Sequence, residues 1–104
     1  MTIQFNTDNN ITGREDFTAP LIALIKDNLS RFNDQITRVE VHLSDENSNK
    51  HGVNDKRCLI EARLQGRQPV AVTNLADTEE QAVSGAIDKL KASLETIVDR
   101  SRNR

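Results

Sequence analysis

Three observations predict an α+β fold: a two-layer β-α-β-β-β-α sandwich, its four-stranded sheet carrying both helices on one face. Two segments place apolar residues at helical spacing. Four shorter ones alternate polar and apolar residues. The apolar sides of all six need a common core, which two packed layers supply. The chain has 104 residues, the size of one ordinary domain. Residues 1–104 are therefore read as a single domain, with a polar tail over 98–104 expected to fray.

Thr2 to Asn6 alternates, with Ile3 and Phe5 on one face, and reads as a short strand. TDNNITGRED is turn-rich. Phe17, Leu21, Leu24, Ile25, Asn28 and Phe32 then recur on one side of a helix that RFND closes. A capping box from Thr12 to Glu15 would bury Pro20 deep in that helix, at a cost of about 3 kcal/mol. A start with Asp16 or Thr18 as cap is preferred, because it keeps Pro20 near the first turn.

Ile36 to Ser44 alternates again. Val39, Val41 and Leu43 face inward, and Arg38, Glu40 and His42 face outward. Asp45 to Asp55 has the chemistry of a long polar connection. Arg57 to Gln65 resumes the alternation with Cys58, Ile60, Ala62 and Leu64 inward. Gly66 suits a turn that needs positive φ, and Pro69 to Leu75 forms the last strand, with Val70 and Val72 on one face. Three strands joined by two hairpin connections make an antiparallel meander. The exposed face of the sheet is expected to carry Gln4, Arg38, Glu40, His42, Glu61, Arg63 and Gln65. DTEE opens the second helix with Asp77 as cap and Glu80 completing a capping box. Val83, Ala86, Ile87, Leu90, Leu94 and Ile97 form its apolar stripe.

Composition excludes several functions. One cysteine rules out an intrachain disulfide and suits a reducing compartment. No apolar run approaches membrane-span length, and MTIQFNTDN lacks the basic start and apolar core of a signal peptide, so no membrane role and a cytoplasmic location are expected. The net charge of −2 argues against a generally basic nucleic-acid binder but leaves room for a local basic patch. Three phenylalanines, with no Trp or Tyr, all sit in apolar patterns, so exposed base-stacking platforms are not expected.

VEVHLSDENSNKHGVNDKRCLIEARL, Val39 to Leu64, holds both histidines and the cysteine. Alternation sends His42 and Cys58 to opposite sheet faces and leaves His51 in the connection. None has the short pair spacing of a zinc site, so no metal and no cofactor are expected. Cys58 is read as a buried thiol. Lys56 and Arg57 would lower its pKa only at an open strand end. Asp45, Glu46 and Asp55 flank a long loop, a poor frame for paired acid–base carboxylates. No phosphate-binding glycine loop or serine elbow occurs. Catalytic residues are read as none.

The second helix carries more. From Asp88 onward five bases (Lys89, Lys91, Arg100, Arg102 and Arg104) stand against three acids (Asp88, Glu95 and Asp99), a local net of +2. Lys89 and Arg100, eleven apart, share one flank, and Lys91 and Arg102 share the other. Such a patch can meet phosphates. From charge alone the competing reading is a solvated face with Lys91–Glu95 as an i, i+4 pair and bases complementing the helix C-terminus.

The element order, VEVHLSDEN…DKRCLIEARL and above all AVSGAIDKLKASL (Ala82 to Leu94) resemble the ribosome hibernation-promoting factor family, which includes ribosome-associated inhibitor A and proteins once called sigma-54 modulation proteins. The resemblance covers nearly the whole chain and implies a non-enzymatic protein. Its partner would be the small ribosomal subunit, with 16S rRNA contacted near the decoding region and idle ribosomes silenced or protected under stress or in stationary phase. No small-molecule substrate is implied. By position, Lys89 and Lys91 match the start of the family's basic helix, and Arg100, Arg102 and Arg104 its basic end. Lys56, Arg57, Arg63 and Arg67 are second-tier candidates from charge and position. One departure is clear: Ser93, Glu95, Thr96 and Asp99 interrupt a run that is usually denser in Lys and Arg, and the acids repel phosphate. The 104 residues are expected to match the first domain of the long forms, without their dimerisation domain. A protein-binding module on the same fold is the competing function, and a thiol- or metal-dependent activity at Cys58 is a third.

Overall fold

A computed structural model describes residues 1–9, 11, 13–46 and 55–102, the last two as backbone only. The order is β1 (Thr2–Thr7), α1 (Glu15–Leu29), a turn of 3-10 helix (Ser30–Phe32), β2 (Ile36–Asp45), β3 (Lys56–Leu64), β4 (Val70–Ala76) and α2 (Glu79–Arg102). The strands lie side by side as β1-β2-β3-β4. β2, β3 and β4 form the expected antiparallel meander. β1 pairs with β2 in parallel, because α1 carries the chain back to the end where β1 began.

The two layers meet on the faces that alternation assigned. Val39, Val41, Leu43, Cys58, Ile60 and Ala62 are closed off from solvent, as are Ile25 and Leu29 of α1 and Val83, Ala86, Leu90 and Leu94 of α2. At about 25 cal/mol per Å² of apolar surface this burial is the main force holding the layers together. The opposite sheet face carries Gln4, Arg38, Glu40, His42, Glu61 and Arg63, as expected. It also carries Leu59 and Leu75, the latter the one large apolar side chain that is exposed among the described residues. Gln65 lies just past β3, in the turn where Gly66 takes φ 70°.

Both helix starts differ from expectation, α1 by two to four residues from the preferred Asp16 or Thr18 cap and α2 by one. α1 begins at Glu15 behind Arg14, without a side-chain cap, and Pro20 sits inside it. Asp16 and Pro20 are both exposed, so water can reach the Asp16 carbonyl that proline leaves without an intrahelical donor. For α2 the residue before the first helical position, Glu79, is Thr78, and its hydroxyl caps the helix. Thr78 Oγ1 accepts the Gln81 N–H at 3.1 Å, making Thr78–Gln81 the S/T-x-x-Q frame.

Asn74 fixes α2 against β4. It occupies an inward position on that strand, and its amide donates to the Gln81 and Ala82 carbonyls at 3.4 and 3.3 Å. Gly85 makes room for it: a Cβ there would lie 2.1 Å from Asn74 Nδ2. This contact sets where the basic residues of α2 emerge along the edge strand.

Candidate nucleic-acid interface

The topology sorts charge along the molecule. β1, β2 and β4 run one way, and β3, α1 and α2 run the other. Both helix N-termini therefore lie at one end, beside the end of β2 and the start of β3. There Glu15, Asp16, Glu79 and Glu80 fill the two first turns, and Asp45, Glu46 and Asp55 flank the β2–β3 connection. Both C-termini lie at the other end with Arg31, Arg67 and Arg100. Part of this asymmetry answers the parallel helix dipoles, which favour acids at N-termini and bases at C-termini.

Among the second-tier candidates, Lys56 and Arg57 sit at the acidic end, away from the basic end of α2. They point to opposite sheet faces, since Lys56 shares the inward phase of Cys58. Lys56 Nζ lies 2.9 Å from Asp55 Oδ1 and 3.4 Å from Asp45 Oδ2, with less than a fifth of its side chain exposed. The hydrogen bond to Asp55 raises its pKa, burial opposes the rise, and the Asp45 charge adds to it. Arg57 pairs with Glu46 at 3.8 Å. Arg63 lies between Glu40 (3.0 Å) and Glu61 (3.3 Å) on the outer face. Each of these three cations already faces at least one carboxylate.

The cations of α2 differ. Lys89 donates from Nζ to the Thr73 carbonyl at 2.8 Å, which puts it over the free edge of β4 with no carboxylate on it among the described residues. Arg100, eleven residues on, shares that flank by helical spacing and is exposed. Lys91 lies on the flank toward α1 and is half-buried. Neither Lys91 nor Arg100 has an ion pair among the described residues. The anticipated Lys91–Glu95 pair is replaced by Glu95–Arg31 at 3.0 Å, across the helix–helix seam. Arg31 also lies over the Phe32 ring, 4.6 Å from its centre. One of the acids that interrupt the basic helix is thus partly neutralised from the 3-10 turn that follows α1, a long-range contact that local sequence does not announce. Arg67, in the β3–β4 turn, comes close to the last turns of α2, with which it lines a common slot. The Arg102 side chain, Arg104 and His51 lie outside the described residues.

Cys58 is fully enclosed, and burial pushes its thiol up to about 12 against a small opposing pull from Arg57. A thiol held this firmly protonated is a poor nucleophile and a poor metal ligand. His42 is exposed on the opposite sheet face.

A mixed four-stranded sheet with two parallel helices on one face defines a class of small two-layer α+β domains. Comparison with known proteins names the family. The sequence pattern of the sigma 54 modulation protein / S30EA ribosomal protein family matches residues 9–102, and the chain belongs to that family of ribosome-associated factors. Among solved structures, the N-terminal domain of Protein Y from Thermus thermophilus is similar at a TM-score of 0.73 and 21% identity, over 93% of this chain and 99% of that one. A ribosomal subunit interface protein from Coxiella burnetii is similar at a TM-score of 0.65 and 16% identity, over 95% and 99%. At such identities the likeness is one of fold. No curated protein matches the chain in sequence. No helix among the described residues is long and apolar enough to cross a membrane.

Proposed function

We propose that this protein binds the small ribosomal subunit through rRNA phosphates near the decoding region and holds idle ribosomes silent by occupying it. The observation that carries the reading is the set Lys89, Lys91 and Arg100: cations on one helix with no carboxylate partner among the described residues, in a chain whose sheet cations are paired. Family membership and the solved subunit interface protein support the ribosome as partner. Arg102 and Arg104 extend the same stretch in sequence, and Arg67 flanks it from the turn. Arg63, Arg57 and Lys56 contribute by exchanging a carboxylate for a phosphate, which weakens their part. Recognition by basic side chains on the backbone of folded RNA needs no base-stacking surface.

Sucrose-gradient fractionation of stationary-phase cells tests this. The protein is expected with the small-subunit fractions at low salt and at the top of the gradient as salt rises. Recovery at the top under all salt conditions refutes the reading. A protein-binding module is the second reading, favoured by the acidic end of the molecule. It predicts that a protein partner is captured from nuclease-treated lysate.

A further inference from the structure

At the basic end, α2 runs past the sheet and leaves an apolar slot of about 290 Å³ between its last turns and the β3–β4 turn. We infer that this slot receives the base of one unpaired nucleotide, with the adjoining RNA backbone following the Lys89–Arg100 flank. The inference rests on the rRNA reading above and sharpens it, by adding a base contact to a phosphate-binding surface.

Phe32, Leu64, Leu94 and Val98 make the apolar walls. Leu94 is buried, but Val98 is only half-covered, so the stripe of α2 continues beyond what the core closes over. Gln35 and Gln65 stand at the rim. Their side-chain amides have no protein partner among the described residues, and both are exposed. A primary amide presents both donors and an acceptor, the complement of a base edge. Among the described residues no carboxylate lines the slot; Arg31, Glu95 and Asp99 line the neighbouring groove on the α1 side, where Arg31 offsets Glu95 and Asp99 is left in excess. Phosphate is thus disfavoured at the seam and drawn to the flank where Lys89 and Arg100 emerge. That asymmetry favours an anionic chain along the flank over a neutral or basic one, and the rRNA reading above makes that chain RNA. Unpaired bases of loops and bulges can leave the stack and enter such a site, whereas a base in a duplex cannot without unpairing. The walls are mostly aliphatic, so the contact excludes water from the base rather than stacking on an aromatic platform.

The test compares two RNA probes of equal length, a hairpin with an unpaired loop and a fully paired duplex, by fluorescence anisotropy on the full chain at one fixed salt concentration. The hairpin is expected to bind about tenfold tighter or more, the scale of one base contact. Val98→Trp fills the slot and is expected to bring the hairpin-to-duplex ratio close to one. Gln35→Ala with Gln65→Ala, both at exposed positions that leave the fold intact, should lower the same ratio without filling the slot. Equal binding of both probes, or a preference that survives both variants, overturns the slot while leaving phosphate binding standing. Binding of neither probe at low salt overturns the rRNA reading and the slot with it.

Discussion

Lys56, Arg57 and Arg63 of the sheet carry the same charges as Lys89, Lys91 and Arg100 of α2, yet the two groups are not equivalent. Antiparallel pairing lays each sheet cation beside acids on its own or a neighbouring strand: Arg63 beside Glu40 and Glu61, Lys56 beside Asp45 and Asp55. α2 has only one neighbour on each flank. On the β4 side that neighbour offers a backbone carbonyl, and on the α1 side Arg31 takes the one acid that would have paired with Lys91. Available charge is therefore set by what a side chain faces, not by how many Lys and Arg the sequence holds. A cation with an anionic partner must give it up before meeting phosphate, and the exchange cancels most of the gain.

The sharpest way to break this contrast is to reverse the helix cations together. Lys89→Glu, Lys91→Glu and Arg100→Glu in one chain should lower ribosome affinity by about a thousandfold or more, because each reversal removes a phosphate contact and adds a repulsion. Co-sedimentation reads the loss, and an unchanged circular dichroism spectrum shows that the fold survives.

Cys58 tests whether neighbouring Arg57 activates the thiol. With its pKa near 12 against an ordinary 9.0, the native thiol should be about a thousandfold less ionised than a free one at neutral pH. Iodoacetamide is expected to leave the native protein unlabelled and to label it promptly in urea. Rapid native labelling would place Cys58 outside the core.

Gly85→Ala should destabilise by about 2 kcal/mol, read as a lower urea midpoint, since the new methyl group collides with Asn74 and displaces its amide from the Gln81 and Ala82 carbonyls. At an unobstructed helix position the same change stabilises by about 1 kcal/mol, so the sign alone decides whether Asn74 anchors α2.

Lys56 gives a smaller, pH-dependent effect. Its folded pKa stands above 10.5, so its contribution is fully present below that pH and is lost as pH rises through the folded value. Cys58, also raised, weakens the protein over part of the same alkaline range, from about pH 9 upward. In a Cys58→Ala background, Lys56→Met should flatten the fall of the urea midpoint above pH 10.5. A fall of the same slope in both proteins would mean that the Asp45–Lys56–Asp55 cluster adds nothing. Smallest of all, Arg63→Gln should change ribosome affinity by no more than about threefold, because that guanidinium is held by Glu40 and Glu61.

The six elements, their order and the inward face of each strand were legible in the sequence, because alternation and helical spacing are local records of which side meets the core. The separation of His42 from Cys58 followed from the same rule. The helix starts were less legible. Thr78 and Asp77 are both good caps one residue apart, and Arg14 carries no capping signal at all. The candidate site was legible only in part. Lys89, Lys91 and Arg100 stood out as bases near one helix end, but nothing local showed that Lys56 was spoken for or that Glu95 would turn to Arg31.

The sequence by itself determined the layers, the core and the cations of α2, since each depends on residues within a few positions of one another. Tertiary structure alone decided which cations are spent on carboxylates, that Lys56 and Arg57 lie at the far end from Arg100, and that α2 overhangs the sheet to open a slot beside Arg67. Those outcomes depend on strand direction and register, which join residues distant in the chain, and electrostatic pairing acts over a few ångströms of space rather than along the sequence.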